Sequence, residues 1–282
     1  MPLEICKDPQ SLRSRLGAVH REGKTIGFVP TMGALHDGHI MLARTALSQS
    51  DHGVVSIFVN PKQFAPHEDF DRYPRTLEAD CAKLEEAGVH TVYAPAVEDM
   101  YPQGFQTTVT VADVSKPLEG EFRPHFFAGV ATVVARLLLQ VGADKAFFGE
   151  KDYQQLQVVT RMVEDLAIPT QIIGVPTVRE DSGLALSSRN AYLSPEQKQI
   201  AVQLSKTLFC MAEKIRDGED FVAVEGWAML SLMKAGFEKI DYCTIRDKRS
   251  LQTPSAAAVP EDMRILAAAW LGKTRLIDNI QV

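Results

Sequence analysis

Apolar residues recur in two alternating rhythms through the first two-thirds of the chain. Short β-branched or aromatic runs at residues 25–29, 54–59, 91–94, 146–148 and 171–175 are brief and continuous, the pattern of strands buried on both faces. Between them, residues 11–22, 38–50, 76–87, 130–141 and 153–167 place apolar side chains at helical spacing. Val130, Val133, Val134, Leu137, Leu138 and Val141, for instance, fall on one stripe. Strand and helix in alternation predict βαβ units around a parallel sheet.

After about residue 179 the rhythm changes. Ser194-Pro195-Glu196 opens a helix with a capping serine and proline at the first helical position, and a second helix is expected over residues 221–235. Residues 264–270 and 274–280 are strand-like and joined by Leu271-Gly272-Lys273, a hairpin, with residues 239–245 as a third strand. The expected architecture is α/β: a Rossmann-like parallel-sheet domain over residues 1–180, then a smaller α+β domain over residues 181–282.

Composition narrows the class. At 282 residues and 45% hydrophobic content the chain can bury a proper core, which excludes a disordered or fibrous protein. A net charge of -6 gives no sequence-wide basic field, and no local basic patch stands out, so small-molecule chemistry is expected rather than nucleic-acid binding. Cys6, Cys81, Cys210 and Cys243 lie far apart without a Cys-x-x-Cys pair and read as buried reduced thiols. The start of the chain, Met1 to Asp8, lacks the features of a secretory signal, and a cytoplasmic location is expected. The longest apolar stretch, residues 126–143, is interrupted by Arg136 and repeats at helical spacing. It reads as a buried helix and not as a membrane span.

Three polar turns carry the candidate chemistry. The first, Val29-Pro30-Thr31-Met32-Gly33-Ala34-Leu35-His36-Asp37-Gly38-His39, sits between the first confident strand and its helix, where α/β sheets bind ligands. Gly33 and Gly38 permit close backbone approach, and the helix start attracts an anion. His36 and His39, on one face of a helical turn, could both reach a triphosphate; capping the helix is the other reading, and zinc lacks a third ligand. The second, Gly149-Glu150-Lys151-Asp152, places a cation for phosphate beside a carboxylate that either caps the next helix or meets a ribose or metal-bound water. The third, Leu186-Ser187-Ser188-Arg189-Asn190, lies between strand-like residues 176–178 and the later helix and offers hydroxyls and a guanidinium to phosphate oxygens.

His36-x-Gly38-His39 with Ser187-Ser188-Arg189 resembles the paired signatures of the adenylate-forming superfamily that includes class I aminoacyl-tRNA synthetases. A closer resemblance is to the pantothenate synthetase family. It is carried in order by Pro30-Thr31-Met32-Gly33, Ser56-Ile57-Phe58-Val59-Asn60-Pro61-x-Gln63-Phe64, Arg72-Tyr73-Pro74-Arg75-Thr76, Phe148-Gly149-Glu150-Lys151-Asp152-x-Gln154-Gln155 and Leu186 through Asn190. The resemblance implies a ligase that uses ATP with magnesium to join pantoate and β-alanine through a pantoyl adenylate, releasing pyrophosphate and then AMP. It implies an ATP site lined by residues 32–39 (Met32, Gly33, Ala34, Leu35, His36, Asp37, Gly38 and His39), Gly149, Glu150, Lys151, Asp152, Val178, Leu186, Ser187, Ser188 and Arg189. His36, His39, Lys151, Ser187, Ser188 and Arg189 are the implied catalytic set, with His39 as the acid. Gln63 and Gln155 are implied to bind pantoate, Gln63 standing also near β-alanine. A homodimer, and closure of the smaller domain over the nucleotide, follow from the same resemblance.

One departure stands out: the family's Arg-Pro-x-His-Phe is here Arg123-Pro124-His125-Phe126-Phe127, with the histidine one place early. Residues 66–74, acidic and proline-flanked, are a candidate lid or a plain surface loop. The rival readings are a nucleotidylyltransferase, which would need extra cations for its acceptor, an aminoacyl-tRNA synthetase, which would need an anticodon-binding or basic surface in its carboxyl-terminal part, and a nucleotide-sensing module, which would need no convergent histidines and lysine.

Overall fold

The computed structural model describes residues 2–65, 70, 73–255 and 257–282. The first part of the chain runs β1 (Glu4–Cys6), α1 (Pro9–Arg21), β2 (Ile26–Thr31), α2 (Asp37–Gln49) and β3 (His52–Ile57). A 3-10 turn (Pro61–Gln63), α3 (Leu77–Glu86), β4 (Thr91–Tyr93) and the short α4 (Val97–Met100) and α5 (Glu119–Phe122) follow. Then come α6 (Phe126–Val141), β5 (Lys145–Gly149), a 3-10 turn (Glu150–Asp152), α7 (Tyr153–Asp165) and β6 (Gln171–Val175).

These six strands form one parallel sheet in the order β1-β4-β3-β2-β5-β6. The chain steps outward from β2 through β3 to β4, then returns beside β2 with β5 and steps the other way. Such a reversal leaves a crevice at the carboxyl ends of the adjacent strands β2 and β5. α1, α6 and α7 pack one face of the sheet around Leu12, Phe28, Leu138 and Met162, while α2 and α3 cover the other around Val29, Ala43, Leu84 and Phe147.

The second part contains α8 (Pro195–Arg216), α9 (Phe221–Ala235) and an antiparallel sheet of β7 (Lys239–Asp247), β8 (Met263–Leu271) and β9 (Thr274–Gln281). Ser194 caps α8 as its sequence suggests, its Oγ accepting the Gln197 N–H at 3.2 Å. β8 is central and buried on both faces. Met263, Ile265, Ala267, Ala269 and Leu271 join the core under α8 and α9, while Leu266 reaches the core of the first part. Leu271 pairs with Thr274, so Gly272 and Lys273 alone make the turn, with Gly272 at a positive φ of 57°.

Three expectations and one omission need correction. β1 escapes the periodicity reading because three residues are too few to show a pattern. Residues 176–178 lie outside any strand. Pro176 has no N–H to give a ladder, and the chain instead folds back, with Leu186 N–H donating to Val178 O at 3.0 Å. α6 starts at Phe126 rather than at residue 130, and its Gly129 is required there, since a Cβ at that position would collide with the Lys62 carbonyl. Of the four free cysteines, Cys210 is exposed, because it lies on the solvent side of α8. The candidate lid at residues 66–74 lies outside the described residues except for Phe70, Tyr73 and Pro74.

Candidate active site

The turn after β2 is held by its own neighbours. Thr31 Oγ1 donates to Ser56 O at 2.7 Å and accepts the Gly33 N–H at 3.3 Å. Gly33 and Ala34 both take positive φ, 87° and 53°, a conformation that alanine resists. Asp80 of α3 secures it: its carboxylate, 1% exposed, accepts Ala34 N–H at 2.9 Å, Leu35 N–H at 2.8 Å and Thr76 Oγ1 at 3.1 Å. Lys83, one turn further along α3, donates to Leu35 O at 2.5 Å. Ala34 and Leu35 thus have protein acceptors for their N–H groups.

His36 is the N-cap of α2, its Nδ1 accepting the Gly38 N–H at 3.2 Å, and His39 Nδ1 accepts the His36 N–H at 3.3 Å. A backbone N–H can only donate, so both Nδ1 atoms are unprotonated and both rings present Nε2–H. The rings lie 4.1 Å apart, tilted by 41°. Burial, then the neighbouring His36 and Lys151, push the His39 imidazolium down to about 3; burial and Lys151 lower His36 as well. Two neutral imidazoles with fixed donors suit an incoming anion, and they carry no charge that must be desolvated beforehand.

The turn after β5 is held from the far side of the molecule. Asn279 of β9 donates through Nδ2 to Glu150 O at 2.9 Å and to Lys151 O at 2.8 Å. Arg264 of β8 binds the Glu150 carboxylate at 3.0 Å, stacks its guanidinium 3.9 Å from the Tyr153 ring and donates to Asn279 Oδ1 at 2.7 Å. The backbone is therefore pinned while the Lys151 ammonium has no hydrogen-bond or carboxylate partner among the described residues. Asp152 occupies the N-cap position of α7 but makes no capping bond.

The third turn follows the same local logic. Ser187 Oγ accepts the Arg189 N–H at 3.3 Å and opens a 3-10 turn, Ser188–Tyr192, and buried Asn190 donates to Ala185 O at 3.0 Å.

One cavity of about 880 Å³ gathers Met32, His39, Gln63, Lys151, Asp152, Gln155 and Arg189 in its wall, large enough for a nucleotide beside a small acid. Ser187 lines an adjoining hollow together with Lys151 and Arg189. Residues 33–38, Gly149, Glu150, Val178, Leu186 and Ser188 stand outside these walls. His125 is exposed at the start of α6 and is not in the cavity wall, although Arg123, Phe126 and Phe127 are. Sequence reasoning missed Asp80 and Asn60, both 1% exposed. The signal for Asp80 was a carboxylate on the apolar stripe shared with Cys81 and Leu84; that for Asn60 was an Asn-Pro pair directly after a strand.

Several proteins similar to this chain in sequence and in fold carry the same name. The sequence model of the family described as pantoate-beta-alanine ligase matches residues 4–281. The pantothenate synthetase of Paramagnetospirillum magneticum is 52% identical over 280 residues, 99% of this chain and 98% of that protein. That of Rhodospirillum rubrum is 52% identical over 281 residues, 99% of each. The crystal structure of pantothenate synthetase from Thermus thermophilus superposes with a TM-score of 0.92 at 45% identity, covering 99% of both chains. The pantoate-beta-alanine ligase of Francisella tularensis, complexed with beta-gamma ATP and beta-alanine, gives a TM-score of 0.83 at 34% identity, covering 99% of this chain and 97% of that one. With identity near one half along its whole length, the chain belongs to the pantoate–β-alanine ligase family, the enzymes that condense pantoate with β-alanine to pantothenate.

Proposed function

We propose that this ligase works through a pantoyl adenylate. The pantoate carboxylate attacks the α-phosphorus of ATP and pyrophosphate leaves. The β-alanine amine then attacks the acyl carbon, AMP leaves with the bonding pair, and the amine gives up a proton. One observation carries this reading: the Lys151 ammonium, unpaired among the described residues, and a fixed imidazole donor, His39, share a cavity with the amides of Gln63 and Gln155. The first two suit negative charge growing on departing phosphates, and the amides suit the hydroxyls and carboxylate of a small hydroxy acid.

In this reading Met32 through His39, Gly149 through Asp152, Val178 and Leu186 through Arg189 surround the nucleotide. Ser187, Ser188 and Arg189 offer hydroxyls and a guanidinium to its phosphates beside His36 and His39. Magnesium enters with the nucleotide. Among the described residues no cluster of three His, Cys, Asp or Glu side chains could hold a cation unaided, whereas Asp152 puts a carboxylate in the wall, and Mg²⁺ on a nucleotide asks for only one or two. An acyl adenylate hydrolyses, and a cavity walled by both parts of the chain limits water's access to it. A cytoplasmic homodimer in which residues 181–282 form a domain closing over the nucleotide completes the proposal.

The test is isotope exchange. Labelled pyrophosphate is expected to enter ATP when pantoate is present and β-alanine is absent. Release of ADP and phosphate without exchange would replace the adenylate by an acyl phosphate.

A further inference from the structure

Gln63 does not orient itself. Asn60 is buried at the end of β3 with all its amide valences used: Oδ1 accepts the Lys62 N–H at 3.2 Å and Tyr101 Oη–H at 2.7 Å, while Nδ2 donates to Gly129 O and to Gln63 Oε1, both at 3.1 Å. The Lys62 N–H and the Gly129 carbonyl have fixed polarity, so the Asn60 amide has one permitted orientation. With Asn60 Nδ2 facing it, the atom of Gln63 on that side must be the oxygen. The Gln63 NH2 is thereby turned toward Met32, donating to Sδ at 2.9 Å in the cavity wall. A thioether is a weak acceptor, so the amide meets the cavity as a donor whose better partner is an oxygen of the ligand.

Tyr101 closes this chain from behind. Its ring is wedged between Phe58 and Phe105, at centroid distances of 6.3 and 5.2 Å, with the Lys62 ammonium 4.7 Å over its face. Burial raises its hydroxyl to about 12, which keeps it protonated and able to donate at any working pH. Tyr101 does not line the cavity.

We infer that Tyr101 is a positioning residue for pantoate, acting through Asn60 to hold the Gln63 amide with its NH2 toward an acceptor oxygen of the acid. The inference rests on the reading of Gln63 as a pantoate contact. Without the tyrosine hydroxyl, Asn60 Oδ1 loses its shortest bond and keeps only the Lys62 N–H at 3.2 Å, so the amide pair keeps its polarity and is held less tightly in place.

Tyr101→Phe preserves the ring contacts and removes the hydroxyl alone. It is expected to raise KM for pantoate roughly tenfold, the worth of one well-placed hydrogen bond, while kcat stays within about twofold. Gln63→Ala is expected to raise the same KM, and Tyr101→Phe added to it should change nothing further. An equal rise in KM on either background would overturn the inference, because the tyrosine would then act independently of Gln63. An unchanged KM in Tyr101→Phe alongside a raised one in Gln63→Ala would reject the positioning role only. An unchanged KM in Gln63→Ala would reject the pantoate contact as well. Asn60→Asp keeps the test decisive should the phenylalanine variant fold poorly: it matches the side chain's shape but cannot donate to Gln63, and it should raise KM for pantoate at least as much.

Discussion

Two histidine pairs stand at opposite ends of the parallel sheet. At the carboxyl end, His36 and His39 lie 4.1 Å apart; at the amino end, His52 of β3 stacks on His90 with centroids 4.7 Å apart and planes 21° from parallel. Both pairs take a backbone N–H on Nδ1, from His36 and Gly38 in the first and from Gly53 to His90, at 2.9 Å, in the second. Burial is the largest cause lowering each of the four, His39 to about 3 and His52 to about 4. A depressed imidazole is therefore no mark of a working residue. What separates the pairs is what their remaining ring nitrogens meet. His52 Nε2 is spent on Thr91 Oγ1 at 3.0 Å, whereas His39 faces a cavity beside the unpaired Lys151.

The sharpest way to break this comparison is to delete one member of each pair. His39→Ala should slow pantoate-dependent pyrophosphate exchange by a factor on the order of 10² to 10³, about 3–4 kcal/mol of barrier, the loss of one donor to developing charge. Its melting temperature should move little, since only the His36 N–H loses an acceptor. His52→Ala should do the reverse, lowering the melting temperature with the exchange rate per folded molecule unchanged. Comparable rate losses in both would mean that the sheet's two ends are not functionally distinct.

Much of this was legible in the chain itself, and unevenly. Strand–helix alternation located five of the six parallel strands, and the Gly-rich turn with His36 and His39 was visible because it stands at a strand's end, where chemistry gathers in such sheets. The amino-end pair was not legible as a pair, because His52 and His90 are 38 residues apart and meet only through the pairing of β3 with β4. Asp80 was hidden for a related reason: it reaches the β2 turn from α3, so its burial depends on a contact 45 residues away. The hold that Asn279 has on Glu150 and Lys151 spans about half the chain, and no local pattern encodes it.

The pairs should also show in acid. A histidine whose folded pKa is depressed takes up its proton first in the unfolded chain, so stability rises with pH wherever the unfolded state holds more protons. For His52 the contribution is complete above about 6.5 and is lost as pH falls toward its folded value of about 4; for His39 the loss continues toward about 3. Between pH 7 and pH 5 each is expected to cost about 1–2 kcal/mol. Asp241 and Asp247 are lowered below 3.8 and lose their contribution only at more acid pH, which leaves this window to the histidines. Urea unfolding at the two pH values should show a smaller difference for His52→Gln and for His39→Gln than for the parent. An unchanged difference in either variant would remove that histidine from the account.

The smallest expected effect bears on what sets the working pair apart, the cation beside it. The turn carrying His36 and His39 is held by adjacent elements, but the turn carrying Lys151 is held by Asn279, which is 3% exposed and reaches it from the last strand. Asn279→Ala leaves two carbonyls without their donor and deprives Arg264 of an acceptor, so Lys151 keeps its charge and loses its fixed position. Exchange should slow roughly three- to tenfold, about 1 kcal/mol. Combined with Lys151→Ala the slowing should disappear, because there is no longer an ammonium to misplace; combined with His39→Ala it should multiply. A full effect in the Lys151→Ala background would mean that β9 reaches the chemistry by another route. His39 would then owe its distinction to its place in the cavity wall alone and not to a lysine held in place by the second sheet.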